Sequence, residues 1–405
     1  ASLKAVVGAI LRITLPRNGA LAMKRKLAIV GASDFQNPLI LKAKEMGVET
    51  HVFAWETGAA GEKTADYFYP ISITEVDEIT DTCRRIGIDG ICSIGTDLGN
   101  ITVSEVASAL GLIANSPECV HKSTNKALMR QTFAEHGDPS PLSIKVFHPE
   151  DVDGPELHFP LIVKPVDRSG SRCVSKVFSS YELKYAIERA IDISFEKAAV
   201  VEEFMEGREF SVEYISWKGE HTFLALTRKF TTGAPHFIET GHVEPAGVDE
   251  GLLSKIKQVV EHALDGLGVQ YGASHSEIMI DEKGNIRIVE IGSRMGGDCI
   301  GSHLVPLSTG VDFMRAVIEI ALGEKPDLRR DHEEACAMIR FAFSSKDVEV
   351  FNELKVNRPN YVIDYSFESD TNHAIVDSGS RYGYFILRAE HASELVPYYP
   401  TESLA

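Results

Sequence analysis

Two glutamates, Glu277 and Glu290, are the residues of this sequence best placed to carry out chemistry. They lie in two β-rich segments, residues 273–280 and 286–291, which are joined by a strong turn signal at residues 281–285. A hairpin centred on that turn places Glu277 directly opposite Glu290, and like charges opposed in this way destabilise a sheet. Mg²⁺, which binds one or two carboxylates together with nucleotide phosphates, is the partner that fits best. The simpler alternative is that each glutamate pairs with an Arg or a Lys.

The same face of this hairpin is predicted to carry further residues that could act beside a metal. Because side chains alternate along a strand, the residues expected on that face are Met279, Ile286 and Ile288, together with His275, Gly292 and Arg294. A guanidinium close to the metal could hold a substrate carboxylate or a phosphoryl group during its transfer.

A lysine and a polar loop form a second candidate site. Residues 159–165 have the pattern of a strand with Lys164 near its end, and the polar loop 167–172 leads to a short strand at 174–177. Such a loop exposes backbone N–H groups and suits a mobile flap over phosphates, although a surface hairpin with solvated arginines would have the same pattern. None of the 32 glycines is followed by lysine, so a Walker-type phosphate loop is excluded.

The first part of the chain alternates short strand patterns with longer helical ones. The predicted strands are 27–30, 50–54 and 91–94, and the predicted helices are 38–46, 76–85 and 101–110. This alternation is typical of a parallel, doubly wound sheet. Because the first strand is not followed by G-x-G-x-x-G, we interpret the segment after it as a plain turn and not as a dinucleotide site.

The composition limits the partners. The 405 residues include 59 acidic and 41 basic side chains, and the formal net charge of −18 repels nucleic acids and anionic lipids. We therefore expect neither a nucleic-acid nor a membrane partner. The six cysteines are scattered without a C-x-x-C pair, a pattern typical of buried thiols in a reducing compartment, and we predict a cytoplasmic location.

Together these motifs resemble the ATP-grasp superfamily of ADP-forming carboxylate ligases. The matching segments, in order, are an N-K-x-x-x-R helix at Asn125, Lys126 and Arg130, the strand F-P-L-I-V-K-P at 159–165, the hinge V-E-E-F-M-E-G-R-E-F-S-V-E at 201–213, and the two-glutamate hairpin. The resemblance covers about residues 25–325, and the order and spacing of its motifs are more specific than any one of them.

The resemblance implies an α/β protein with the ATP-grasp fold, in which an N-terminal Rossmann-like (pre-ATP-grasp) domain precedes α+β ATP-binding domains. We interpret residues 1–22 as a leader or an added segment. The implied divisions are a Rossmann-like domain at 23–122, an ATP-grasp middle part with a lid at 123–205, a catalytic region at 206–325 and a small C-terminal subdomain at 326–405.

The resemblance also assigns roles to individual residues. ATP is implied as the nucleotide, with phosphates bound by Lys126 and Lys164, adenine by Glu202, Phe204 and Met205, ribose by Glu209, and a lid closed by Ser169, Gly170 and Ser171. Glu277 and Glu290 would hold Mg²⁺ or Mn²⁺, and Arg294 would stabilise the transition state. Where many members have an Asn ligand, this chain has Gly292, and Ser293 or water is expected to replace the missing oxygen.

The substrate side is similar to the amino-acid ligase branch, which makes dipeptides and related amides. The residues that carry this similarity are His236, Glu239, His242 and His275, followed by Gly296 and Gly297 in a loop expected to face the substrate. A structural or solvated histidine is the alternative for His236 and for His242. The implied substrates are a small-molecule carboxylate, that of an amino acid, and an amine, and a homodimer is a further expectation.

The implied reaction has two steps, namely formation of an acyl phosphate and ADP, and then displacement of phosphate by the amine. One alternative is a bicarbonate-using enzyme of the biotin-carboxylase or purine-pathway type. Another is a non-catalytic nucleotide-binding regulatory module. The full set of Lys126, Lys164, Glu277, Glu290 and Arg294 argues against the second alternative.

Overall fold

The computed structural model describes residues 24–152, 157–234 and 237–400. The predicted leader at 1–22 and the predicted substrate residue His236 lie outside the described residues. The strands are β1 (Lys26–Val30), β2 (Glu49–Phe53), β3 (Tyr67–Tyr69), β4 (Gly90–Cys92), β5 (Ser143–Val146), β6 (Leu161–Pro165), β7 (Ser175–Val177), β8 (Ala199–Glu203), β9 (Arg208–Trp217), β10 (Glu220–Thr231), β11 (Glu239–Glu244), β12 (Tyr271–Ile280), β13 (Ile286–Gly292), β14 (Cys336–Phe341), β15 (Val362–Phe367) and β16 (Gly383–Ala389). The helices are α1 (Asn37–Glu45), α2 (Ala60–Thr64), α3 (Val76–Ile86), α4 (Asp97–Leu110), α5 (Pro117–Thr124), α6 (Lys126–His136), α7 (Ser180–Ile193), α8 (Glu250–Leu267), α9 (Val305–Thr309), α10 (Phe313–Ala321), α11 (Ser345–Asn357) and α12 (Ala392–Leu395).

The first sheet is parallel, with strand order β3-β2-β1-β4, as the alternation of strand and helix patterns predicts. Both faces of β1 are buried. Leu27 and Ile29 pack in a core with α1 and α10, whereas Ala28 and Val30 pack in another with α3 and α4. Helix α4 begins at Asp97, earlier than predicted, because Thr96 caps it by accepting a hydrogen bond from the Gly99 N–H at 3.4 Å.

The second sheet is a four-stranded antiparallel unit with order β5-β8-β6-β7. The predicted hairpin is confirmed, since Leu161 pairs with Val177 and Val163 pairs with Ser175. Helix α7 covers one face of this sheet through Leu183 and Ile187.

The third sheet has eight antiparallel strands in the order β13-β12-β9-β10-β11-β14-β16-β15. One face of its first strands is apolar and packs on α6 and α8, through residues such as Val212, Tyr214, Ile278 and Ile288. The opposite face carries polar residues on neighbouring strands: Glu209 and Glu213 on β9, Lys229 on β10, His242 on β11, and His275 and Glu277 on β12. The C-terminal strands β14, β15 and β16 extend this same sheet beyond β11.

The hairpin β12–β13 confirms one prediction and corrects another. Glu277 lies directly opposite Glu290, as predicted, and His275 lies opposite Gly292. Beyond Glu277, however, a β-bulge shifts the register, so that Ile278 pairs with Ile288 and Val289 is the extra residue. The predicted positions of Ile286 and Ile288 beside the glutamates are therefore wrong. The inserted residue turns both side chains to the apolar face, where they pack in the core.

Five of the six cysteines are buried as predicted, and Cys173 is partly exposed. None of the described helices combines the length and the apolar composition needed to cross a membrane.

One buried acid gives the fold a predicted pH dependence. Glu244 of β11 is fully buried, and it accepts hydrogen bonds from the Thr227 hydroxyl at 2.7 Å and from the Ser308 hydroxyl. Burial raises the pKa of Glu244 from its ordinary 4.5 to about 7. Between these values the folded protein keeps a proton that the unfolded chain releases, so the free energy of unfolding should fall as the pH rises through this window. The expected loss is about 3 kcal/mol, since each pKa unit corresponds to ~1.4 kcal/mol.

The variant Glu244→Gln tests this expectation because it keeps the shape of the side chain and cannot ionise. Its free energy of unfolding, measured with urea on both sides of the window, should lose this part of the pH dependence. It should also exceed that of the parent above pH 7. Parallel pH profiles of parent and variant would show that folding does not shift the pKa of Glu244.

Candidate active site

Lys229 lies at the centre of the polar face of the large sheet. Its ammonium is 2.6 Å from Glu209, 2.6 Å from Glu277 and 4.0 Å from Glu239, and its side chain is only 3% exposed. Burial alone would lower the pKa of Lys229, but the surrounding carboxylates raise it well above its ordinary value. Burial and the neighbouring carboxylates raise the pKa of Glu209. Lys229 thus holds together three acids that come from different strands.

His275 connects this group to a second buried acid. Its Nδ1 is 2.5 Å from the fully buried carboxylate of Glu213, and its Nε2 is 3.4 Å from Glu277. Although burial would lower the pKa of His275, these carboxylates raise it to about 9. Gly296 allows the imidazole to lie there, since a Cβ at that position would come within 2.6 Å of its Nδ1. Burial would raise the pKa of Glu277, yet Lys229 and His275 hold it well below its ordinary value.

Lys126 connects Glu290 to the loop that is predicted to act as a lid. The Lys126 ammonium is 3.2 Å from Glu290, and it donates a hydrogen bond to the backbone carbonyl of Arg168 at 2.8 Å. On the other side of the loop, the Ser171 hydroxyl is 3.4 Å from the carboxylate of Glu239. The loop therefore lies across the polar face, with contacts to two different elements.

Lys164 does not reach this group and belongs to a separate buried cluster. Its ammonium is 2.8 Å from Glu202, whose carboxylate is also 2.8 Å from Arg130. Despite burial, Arg130 and Lys164 lower the pKa of Glu202 to about 2. Arg130 also donates to the carbonyl of Val289 at 2.7 Å, which fixes the bulge beside Glu290. The Glu202 side chain is thus committed to this ion cluster, although its backbone lies next to the hinge.

The hinge residues and the loop arginine take up other contacts. The Lys176 ammonium lies over the Phe204 ring, 3.7 Å from the ring centroid. Met205, the next residue in the chain, is buried. Arg168 stacks on Phe195 at 3.7 Å and donates to the carbonyl of Ile193. The Arg168 guanidinium is thus engaged at the end of α7.

Arg294 joins the third sheet to helix α4, which packs on the first sheet. Its Nε is 2.7 Å from Asp97, the first residue of α4. A Cβ at Gly292 would come within 3.2 Å of the Arg294 guanidinium, so the glycine leaves room for that group. Ser293, one of the two expected replacements for the Asn oxygen, uses its hydroxyl in other contacts. Its hydroxyl is bonded to Ser123 at 2.7 Å and to Asn100 at 3.1 Å, on the side away from Gly292.

The substrate side contains an ion pair that links three segments distant in sequence. Asp298 is 2.6 Å from the guanidinium of Arg381, and 3.4 Å from the imidazole of His242. Burial would raise the pKa of Asp298, but Arg381 holds it well below its ordinary value, and burial lowers the pKa of His242. Arg381 also donates to the backbone carbonyl of Glu239 at 3.3 Å, and Ser378 donates to the Glu239 carboxylate at 2.5 Å.

Lys229, Asp298 and several of the predicted site residues line a cavity of about 270 Å³, whereas Glu290, Lys126 and Lys164 are not among its lining residues. The predicted residues that line it are Ser169, Gly170, Glu239, His242, His275, Glu277, Arg294, Gly296 and Gly297. The first domain contributes Ser33, Phe35 and Gln36 after β1, with Ile94 and Gly95 after β4, at the carboxyl ends of its parallel strands. The cavity thus lies between the first and the third sheet, with Ser169 and Gly170 of the lid at its edge.

Sequence reasoning missed four residues of this site: Lys229, Glu213, Asp97 and Arg381. Only Lys229 had a usable signal, because a single lysine in the interior of a β-rich segment must find a partner. The other three act through pairings between residues far apart in the chain, which no local pattern reports.

Part of this chain matches a known protein family, and longer stretches of it match individual proteins. Residues 157–302 match the family model described as the ATP-grasp domain. The chain is 26% identical over 278 residues to an alanine–anticapsin ligase of Bacillus subtilis (strain 168), covering 62% of this chain and 58% of that protein. It is 30% identical over 206 residues to a D-alanine–D-alanine ligase of Haemophilus influenzae (strain PittEE), covering 48% of this chain and 62% of that protein.

Among solved structures, an L-amino acid ligase from Bacillus licheniformis superimposes with a TM-score of 0.78 at 22% identity, covering 93% of this chain and 96% of that one. This likeness shows a shared fold, while the curated relatives are matched over less than two thirds of their length. Residues 157–302 thus match the ATP-grasp domain family, and the chain has the ATP-grasp fold and is similar to amino-acid ligases of that superfamily.

Proposed function

We propose that this chain is an ATP-dependent, ADP-forming ligase that activates the carboxylate of an amino acid and joins it to an amine. One observation carries the proposal. A single polar sheet face brings the Lys229 ammonium and the opposed Glu277 and Glu290 carboxylates together beside the cavity that Arg294 lines. This is the combination of charges that transfer of a phosphoryl group to a carboxylate requires.

The residues fit a divalent cation. Among the described contacts, carboxylates outnumber the cations that pair with them. The five carboxylates are those of Glu209, Glu213, Glu239, Glu277 and Glu290, and the three cations are Lys126, Lys229 and protonated His275. This excess of negative charge would attract Mg²⁺ or Mn²⁺, and carboxylate oxygens are the donors that Mg²⁺ prefers. Glu277 and Glu290 would hold the ion, which when bound would neutralise phosphate charge and polarise the γ-phosphoryl group.

In the first step, an oxygen of the substrate carboxylate forms a bond to the γ-phosphorus of ATP. The bond from that phosphorus to the β,γ-bridging oxygen breaks, and ADP leaves. In the second step, the amine nitrogen attacks the acyl carbon, phosphate leaves with the electrons of the C–O bond, and the nitrogen loses a proton. Lys229 and Arg294 would offset the repulsion between carboxylate and triphosphate in the first step.

One wall of this cavity, which is lined by Glu239, His242 and Asp298, suits an amino acid. Glu239 and Asp298 are acidic, and burial lowers the pKa of the neighbouring His242. Such a wall favours the ammonium group of an amino acid. The carboxylate of the same amino acid would lie toward Arg294. Ser169 and Gly170 of the lid line the same cavity, and their position would exclude water from the acyl phosphate.

Lys126 and the lid would contact the phosphates, and the backbone of the hinge at Phe204 and Met205 would contact adenine. Lys164 would contribute both to the phosphates and to the Glu202 cluster, and Glu209 would take the ribose in exchange for its contact with Lys229. The cytoplasmic location and the homodimer stay predictions.

Arg381 provides a test of the amino-acid wall, because it positions Asp298 without lining the cavity itself. The variant Arg381→Gln leaves Asp298 without its cation. The loss of a charged hydrogen-bond partner costs about 1.5–3 kcal/mol. We expect the KM for the amino acid to rise at least about tenfold, with the KM for ATP unchanged. Arg329→Gln, which removes an exposed ion pair of the same 2.6 Å length, is the matched control. Equal changes in both KM values would contradict the assignment.

The function itself is tested by ADP release from the purified chain with ATP and Mg²⁺. We expect pairs of amino acids to stimulate ADP release and bicarbonate to leave it unchanged. Stimulation by bicarbonate without any amino acid would instead support the carboxylase alternative.

A further inference from the structure

A second group of metal-ligand side chains lies outside the cavity, where the end of α6 meets α8. The Nδ1 of His136 is 3.2 Å from one carboxylate oxygen of Asp138, and the Nδ1 of His262 is 2.7 Å from the other. The two imidazoles lie next to each other, with ring centroids 4.2 Å apart and ring planes tilted by 34°. One ligand atom from each residue lies within 4.8 Å of the others. We propose that His136, Asp138 and His262 bind a divalent transition-metal ion such as Zn²⁺.

The type of donor selects the class of ion. Two imidazoles and one carboxylate suit Zn²⁺, Co²⁺ or Ni²⁺, whereas Mg²⁺ and Ca²⁺ prefer oxygen donors alone. Zinc bonds of about 2.0–2.2 Å in a tetrahedral arrangement place neighbouring ligand atoms about 3.3 Å apart. The two nitrogen-to-oxygen distances of 2.7 and 3.2 Å need only a small expansion to reach that spacing. Three protein ligands would leave one position for water.

The backbone fixes the central ligand. Helix α6 ends at His136, Gly137 takes a left-handed conformation with φ of 81°, and the Asp138 N–H donates to the Phe133 carbonyl at 2.8 Å. The carboxylate of Asp138 is 1% exposed, so it cannot be satisfied by bulk water. The two histidines, in contrast, are 37% and 55% exposed, which leaves an entry path for an ion.

The opposite helix is shaped to accept the group. Gly266 of α8 lies against His136, and a Cβ at that position would come within 2.7 Å of the His136 Nδ1. Helices α6 and α8 already pack through Phe133 and Val260. An ion held by His136 and His262 would therefore join these two helices, and α6 is the helix that carries Lys126. The inference does not depend on the proposed function.

The test is a calorimetric titration of the full chain with Zn²⁺, after chelator treatment and removal of any affinity tag, with excess Mg²⁺ in the buffer. We expect the parent to bind one more equivalent of Zn²⁺ than His262→Gln, or to bind it at least about tenfold more tightly. Saturating Zn²⁺ should also raise the Tm of the parent and not that of the variant. Because His262 is largely exposed, the variant should keep the circular dichroism spectrum of the parent.

The matched control is His373→Gln, which removes a histidine that is 38% exposed and lies near a single carboxylate, 3.9 Å from Glu368. It should bind Zn²⁺ as the parent does. Equal Zn²⁺ binding by the parent and His262→Gln would overturn the proposal and leave a simple hydrogen-bonded His–Asp–His cluster. An equal loss in His373→Gln would also overturn it, because binding would then reflect surface histidines in general.

Discussion

Glu290→Gln is expected to lower the rate of ADP release by about 10³-fold while the protein stays folded. The amide keeps the size of the side chain but removes the charge that a divalent cation needs, and the loss of one such electrostatic group typically costs that much in rate. The fold should survive because the Glu290 carboxylate is 19% exposed and has one ion-pair partner, Lys126, among the described residues. A coupled assay for ADP, together with a thermal melt, measures both quantities.

The matched control is Glu282→Gln, in the exposed turn of the same hairpin. It removes the same charge from the same hairpin and should leave ADP release and Tm unchanged. Near-normal turnover by Glu290→Gln would remove the metal assignment and with it the basis of the proposed chemistry.

Lys229→Met is expected to lose both activity and stability. The substitution leaves Glu209 and Glu277 without their shared cation, and breaking a buried ion cluster from one side costs about 3–5 kcal/mol. Urea unfolding of parent and variant measures the loss in the free energy of unfolding. We expect ADP release to be absent under conditions in which the variant is fully folded.

A double variant separates the two effects. Adding Glu209→Gln to Lys229→Met removes one of the uncompensated charges, so part of the stability should return while ADP release stays absent. A single variant as stable as the parent would show that the three carboxylates do not depend on Lys229. Recovery of activity in the double variant would show that Lys229 is not needed for phosphoryl transfer.

Local patterns predicted most of the elements that position the site. The strand alternation around residues 281–285 was sufficient to place Glu277 opposite Glu290, because pairing across a short turn is a local property. The same alternation failed at Ile286 and Ile288. A bulge inserts one residue without changing the composition of the strand, and here Arg130 fixes it through the Val289 carbonyl, a contact between distant residues.

The rest of the site depends on contacts between residues far apart in sequence. Arg381 reaches Asp298 because β14 and β16 extend the same sheet beyond β11, and the sequence pattern of residues 326–405 did not indicate that extension. Ser293 or water was expected to replace the Asn oxygen, and strand alternation turns Ser293 toward Ser123 because Gly292 lies opposite His275 on the polar face. Both outcomes follow from sheet topology, which has to be known before the side chains can be placed.

The measurement that tests the central claim most directly follows oxygen from substrate to phosphate. Amino acids labelled with ¹⁸O in the carboxylate are supplied in pairs with ATP and Mg²⁺, and the released phosphate and any amide are examined by mass spectrometry. An acyl-phosphate route predicts one ¹⁸O atom in each phosphate released, together with a dipeptide or related amide. Unlabelled phosphate, or no amide and no phosphate release with any pair, would contradict it.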